Sequence, residues 1–322
     1  MSNNSLIYFM LWILLQALAE VNCQMTPIIE RGHSTTLIDN KLYILGGKDK
    51  NAKYVGKELY FFYLDVSTRF NTNELLSLWQ DLSKINTILP PHGFAVTVKG
   101  GANNNTLILY GGTSDQPMDS LVYTFDPQSN TWSIPEISKV NAIKKLYLTG
   151  INHNGKMYLW SGWDKPNVYF NDMLILDTIN FSSWGKGSVI NAPTPRYLYG
   201  ATLLPDNKII YMGGINTEFE VFGWDKNNLN INKGDALTLN EVYIYDIIGD
   251  NWSTKTTSGK IPSNRAVFTV ILGLDGQRII IFGGAFINPG YLDTSLYELD
   301  LKNFVWSVPK VTGKIPKPIK QT

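Results

Sequence analysis

The sequence predicts an all-β propeller of five recognisable blades, each of four antiparallel strands, with a sixth cut short. Three observations predict it. Between Arg265 and Trp306, "RAVFTVILGLDGQRIIIFGG" followed by "SLYELDLKNFVW" alternates in hydropathy, turns at Asp275-Gly276, breaks at Gly283-Gly284, resumes around Tyr297 and closes on Trp306. That is the pattern of four short strands joined by hairpins. The same order of features returns along most of the chain, with its tryptophans roughly 52 to 68 positions apart, a period that marks a repeat architecture. Composition agrees: 12% of residues are aromatic, with 17 Tyr and 9 Trp, which suits strands packed face to face better than a helical bundle.

Ahead of the first copy, "SLIYFMLWILLQALA" (residues 5–19) is an apolar run of secretory-signal length, followed by Glu20, Asn22 and Cys23. Cleavage fits after Ala19 or after Cys23, so residues 1–23 are expected to be a removed signal and the protein to be secreted. No Lys or Arg precedes the run, which leaves an uncleaved membrane anchor through residues 5–19 as the alternative. The propeller is then expected over 24–312.

The first copy reads "RGHSTTLIDNKLYILGG", then "ELYFFYLDV", then Trp79. The second runs from "HGFAVTVKGGANNNTLILYGG" through "SLVYTFDPQSNTW" to Trp132. The third is the most divergent, with "KLYLTGINHNGKMYLWSGW" and "NDMLILDTINFSSW"; Ser161 stands where the other copies have the first glycine of the pair, and Leu174 where they have a tyrosine. The fourth, "RYLYGATLLPDNKIIYMGG" and "NEVYIYDIIGDNW", carries a long polar connection from Ile215 to Leu239 that contains Phe219, Phe222 and Trp224. Connections of that length inside a compact domain are usually functional or disordered. The fifth copy is the opening unit. "TGKIPKPIKQT" follows it and repeats the "SGKIPSNR" that leads into copy five, so residues 313–322 are expected to start a truncated further repeat.

Each repeated residue has a packing reason. The first run of a copy should line the central channel, where Ser34-Thr35-Thr36 and Ala201-Thr202 suit the taper. The glycines Gly46, Gly47, Gly111, Gly112, Gly162, Gly213, Gly214, Gly283 and Gly284 end the second run, where the chain bends sharply against crowded backbone. The third-run tyrosines Tyr60, Tyr123, Tyr243 and Tyr297, and the closing Trp79, Trp132, Trp184, Trp252 and Trp306, are expected to fill the space between blades, each worth roughly 3 to 5 kcal/mol.

This ensemble resembles the kelch repeat: a hydrophobic strand ending in Gly-Gly, then a Tyr and a Trp at similar distances. The resemblance covers residues 31–310 and extends to fungal kelch proteins of the galactose oxidase and kelch propeller group, which are secreted or attached to a membrane. It implies a propeller used for binding protein, or glycan, rather than for catalysis, with contacts on the face where chains lead into the innermost strands and leave the Gly-Gly strands. The rival it raises is a galactose-oxidase-like or other carbohydrate-active enzyme. Such a copper site needs two Tyr, two His and a Cys crosslinked to one Tyr, whereas this chain has only His33, His92 and His153, and its one cysteine, Cys23, lies beside the signal. No cofactor, metal or catalytic residue is therefore expected.

Other chemistry is thinly represented. The acids Asp65, Asp126, Asp177, Asp246 and Asp300 recur after the third strand, which reads as turn chemistry. With 28 basic and 27 acidic side chains and a formal charge of +1, no global field draws nucleic acid or an anionic membrane. Asn104, Asn180 and Asn251 each open an Asn-x-Ser/Thr acceptor in an expected hairpin turn. The binding face is placed at Arg31, His92, Arg196 and Arg265, where chains lead into the channel strands, with Phe219, Phe222 and Trp224 over the same face; the alternative is that the arginines only pair with acids or carbonyls of neighbouring blades. Arg and aromatic side chains are common interface anchors.

Overall fold

The computed structural model describes residues 31–49, 53, 60–69, 78–86, 88–137, 143–164, 168–216, 236–286 and 296–311. The apolar run with Cys23, the aromatics Phe219, Phe222 and Trp224, and residues 313–322 lie outside these. The fold is an all-β propeller of five antiparallel blades. Blade one pairs Ser34–Ile38, Lys41–Leu45, Phe61–Asp65 and Trp79–Asp81 in that order. Blade two pairs His92–Gly100, Thr106–Ser114, Val122–Asp126 and Thr131–Ser133. Blade three is built from Gly150–His153, Lys156–Trp160, Met173–Asp177 and Trp184–Gly187, and blade four from Gly200–Leu204, Lys208–Met212, Glu241–Asp246 and Asn251–Thr256. Blade five comprises Thr269–Leu272, Arg278–Phe282, Leu296–Asp300 and Val305–Ser307, and Ser258–Gly259 runs parallel along its outermost strand. A 3-10 segment, Ser83–Ile85, follows the last strand of blade one.

Strand alternation builds the core. In blade two, Leu107 and Leu109 point one way and pack with Tyr43, Leu45 and Phe61 of blade one, while Ile108 and Tyr110, on the opposite pleat, join Met157, Leu159 and Trp160 of blade three. Blade four does the same with Ile210, Met212 and Val242 against Ile279, Ile281 and Leu299 of blade five. Each such side chain, fully buried, contributes about 1.5 to 3 kcal/mol. The closing tryptophans fill these layers unequally: Trp132, Trp252 and Trp306 are buried, whereas Trp79 and Trp184 are half-buried. Trp252 and Trp306 donate their indole N–H to the Ser188 and Leu239 carbonyls at 2.8 and 3.2 Å.

The recurring acids are hairpin acceptors. Asp65, Asp126, Asp177, Asp246 and Asp300 take backbone N–H bonds from Ser67, Gln128, Ile179, Ile248 and Lys302, each two residues on. One repeat assignment is corrected. Tyr123 and Tyr297 pair across the sheet with Leu109 and Ile281, each two residues before its glycine pair, and in blade one that position, opposite Ile44, belongs to Phe62. Tyr60 precedes the strand and packs against Phe62 with ring centres 4.5 Å apart and the planes tilted.

Candidate functional site

The residue that leads into each innermost strand forms the joint between blades. Gly47, Gly112, Gly162 and Gly214, the second residues of the glycine pairs, donate their N–H to the carbonyls of His92, Lys145, Arg196 and Arg265 of the following blade, at 2.8, 3.2, 3.1 and 3.0 Å. These glycines have φ between 83° and 106°, a region that a side chain would strain. In blade three Ser161 does extra duty in place of glycine: its hydroxyl donates to the Arg196 carbonyl and accepts the Arg196 N–H, both at 2.8 Å.

The arginine side chains return to their own blade. Arg196 donates to the Thr194 and Gly213 carbonyls at 3.0 and 3.2 Å and lies 4.8 Å over the Tyr243 ring. Arg265 repeats this with the Ser263 and Gly283 carbonyls at 3.1 Å each, and with Tyr297 at 5.2 Å. Lys145 occupies the same register in blade three, ion-paired to Asp172 and over Phe170. Nothing in the repeat motif marks it. His92 is sealed, its Nδ1 against the Pro90 carbonyl at 3.0 Å, and burial pushes its pKa down to about 4.

Two corrections follow for the expected binding face. His92, Arg196 and Arg265 are at most 3% exposed, so their side chains are sealed within their own blades and present no surface to a second molecule, while their backbone carbonyls join the blades. Arg31 stands one position later than the other three: it bridges Lys48 as Leu146 bridges Trp163 and Tyr197 bridges Ile215. The three histidines sit on separate elements, His33 exposed at the head of blade one, His92 in the joint, and His153 beside Asn154 in a blade-three hairpin. Among the described residues no three His, Cys, Asp or Glu side chains cluster.

What does surround the channel mouth is a collar two residues beyond the joint. Phe94, Tyr147, Leu198 and Val267 donate their N–H to the carbonyls of Gly32, Phe94, Tyr147 and Leu198 in turn, at 2.7, 3.4, 2.7 and 3.0 Å. All five residues are left-handed, with φ of 55° to 71°. That conformation is uncommon for bulky or β-branched side chains. It throws the side chains around the mouth: Phe94 overlies Gly32 and packs on Tyr147 at 4.6 Å. Trp163 and Tyr197 continue the aromatic surface from Tyr147 at 5.7 and 6.0 Å, Tyr169 lies 5.9 Å from Tyr197, and the Lys48 ammonium sits 5.8 Å over Phe94. Phe94, Tyr147, Trp163, Tyr169 and Leu198 are half-buried and Val267 is exposed. The residues that leave the glycine pairs, Lys48, Trp163 and Ile215, pair with the chain just ahead of this collar. The mouth expected to present Arg31, His92, Arg196 and Arg265 is furnished instead by these other side chains.

The chain matches the KLHDC2/KLHL20/DRC7 Kelch-repeats domain over residues 32–233 and 221–322. It belongs to the kelch-repeat family. Three relatives put scale on the likeness. Acyl-CoA-binding domain-containing protein 4 of Arabidopsis thaliana is 23% identical over 287 residues, 88% of this kelch chain and 39% of its own length. Acyl-CoA-binding domain-containing protein 5 of the same plant is 24% identical over 286 residues, with 86% and 39% covered. Host cell factor 1 of Rattus norvegicus is 27% identical over 149 residues, 42% of this chain and 7% of its own. This kelch chain thus spans well under half the length of these relatives.

Proposed function

We propose that this kelch propeller is a non-enzymatic protein-binding scaffold whose partner seats on the channel mouth. The collar carries the reading: four bulky residues are held in a strained left-handed conformation, and such strain gathers at ligand clamps. Its half-exposed Phe, Tyr and Trp faces are the surface chemistry that interfaces favour. The kelch match supports protein binding as the general role.

Panning a displayed peptide library on the immobilised chain tests this. Leu198→Asn with Val267→Asn keeps a residue that tolerates left-handed backbone, so the fold should hold while the apolar contacts go. Selected peptides should lose at least tenfold in affinity. Unchanged binding by a folded double variant would remove the mouth as the contact surface.

The same proposal extends to export, supported by the apolar run at residues 5–19. Asn104, Asn180 and Asn251 are exposed at hairpin ends, open to a glycan on a secreted chain.

A further inference from the structure

The hairpin ends of the blades lie away from the mouth, and between blades four and five they leave a cleft of about 530 Å³, a size at which small-molecule sites are found. Its walls follow from the strand register. Ile210, Met212 and Val242 face blade five from one pleat of blade four. Ile244, Ser253 and Lys255 share that pleat, because Ile244 pairs with both Ile210 and Ser253, and Val242 pairs with Lys255. Leu204 adds to the same wall, opposite Lys208 in the first hairpin, and blade five contributes Leu301 and Phe304. The floor is apolar, with Leu204 and Ile244 buried, and the rim is polar, with Ser253 and Lys255 exposed.

Phe304 is an unusual turn residue. Asn130 and Asp250 hold its position in blades two and four, two residues before the closing tryptophan, and all three are left-handed, with φ of 53°, 46° and 54°. Short polar side chains suit that backbone better than a phenylalanine. In blade four the Asp250 carboxylate closes the joint to blade three, taking the Ser188 N–H and the Tyr245 hydroxyl at 2.6 Å each. In blade five the Phe304 carbonyl makes the link instead, from the Ser258 N–H at 3.0 Å, which leaves the ring to line the cleft. Blade three also has a phenylalanine in this turn, Phe181, but there Thr178 bonds Asn152 at 3.3 Å and Asn152 bonds Asn104 of blade two at 3.0 Å, across the hairpin ends. Among the described residues no side-chain bond crosses between the hairpin ends of blades four and five. Charge adds a preference. The Lys208 ammonium is paired with Asp206, whereas the Lys255 ammonium and the Ser253 hydroxyl have no partner among the described residues.

We propose that this cleft binds a small organic monocarboxylate with an apolar body. The carboxylate accepts from the Lys255 ammonium and the Ser253 hydroxyl, and the body lies on Leu204, Ile244, Leu301 and Phe304. A single negative charge matches the one ammonium left unanswered, where a doubly charged phosphate would meet the Asp206 carboxylate with charge to spare. The site is separate from the mouth and does not depend on what seats there.

Decanoate, with 1-decanol as its uncharged match, tests this on the full chain, followed by NMR of the Leu204, Ile244 and Leu301 methyl groups. Decanoate should shift all three and bind at least tenfold more tightly than decanol. Lys255→Met should remove that advantage, about tenfold for one charge-assisted hydrogen bond, and leave decanol binding as it was. Ser253→Trp should block both probes. Both positions are exposed, so the variants should keep the fold, and the remaining methyl signals report it. Methyls that do not respond to decanoate, equal affinity for the two probes, or an advantage that survives Lys255→Met would overturn the proposal. Shifts of the same methyls on raising the protein concentration, with no probe added, would overturn it in favour of a contact between two copies of this chain.

Discussion

Arg196 shows how far a single residue can be read from sequence. Its recurrence with Arg265 and His92 ahead of a channel strand was visible, but the direction of its side chain was not. Its guanidinium spans the Thr194 and Gly213 carbonyls within its own blade while its carbonyl takes the Gly162 N–H of the blade before. Arg196→Ala should therefore destabilise the fold by about 3 kcal/mol, since hydrogen bonds to charged groups are worth about 1.5 to 3 kcal/mol, and a denaturant titration checks this. His92 gives a pH dependence. Its folded pKa, near 4, lies below the usual value of 6.5, so the unfolded chain binds the extra proton. Stability is intact above about pH 6.5 and is lost as pH falls toward 4, by roughly 3 kcal/mol at most. His92→Gln should flatten that stretch of the stability profile, and a drop of unchanged size in the variant would assign it elsewhere.

At the scale of the element, the strands were legible because alternation, glycine pairs and closing aromatics repeat, and each repetition confirms the others. The offset of Arg31 was not, for a geometric reason. Counting back from a glycine pair assumes hairpins of equal length, yet the first hairpin of blade one turns through Asp39 and Asn40 whereas that of blade two spends residues 101–105. The same variation hid the collar, whose members Gly32, Phe94, Tyr147, Leu198 and Val267 share a backbone conformation and no side-chain type. Lys145 escaped because its copy departs from the others twice, with Lys145 in place of Arg or His and with Ser161, whose hydroxyl bonds the Arg196 backbone, in place of glycine. The Asp turns, by contrast, needed only local spacing and were read correctly from it.

At the scale of the whole molecule, successive blades meet through joints, packed layers and collar links, so stability should be distributed as in other repeat proteins, where each unit leans on its neighbours. Blade three, flanked on both sides, should show the slowest amide exchange. Blade five should exchange faster, at least tenfold at Ile280 relative to its counterpart Ile210, and hydrogen exchange resolved by NMR would show it; equal protection would mean that the blades unfold as one cooperative body.

The collar has one more property, visible when its bonds are counted as dipoles. Each N–H to carbonyl link points the same way around the channel, from the later blade to the earlier. A closed circle of such links would cancel its own moment. Among the described residues the run from Val267 to Gly32 is open and does not cancel, leaving partial positive charge at the Gly32 N–H and partial negative charge at the Val267 carbonyl, as at the two ends of a helix. The described part of the mouth is thereby polarised from one end of that run to the other by backbone alone, in a chain whose side chains nearly balance to zero.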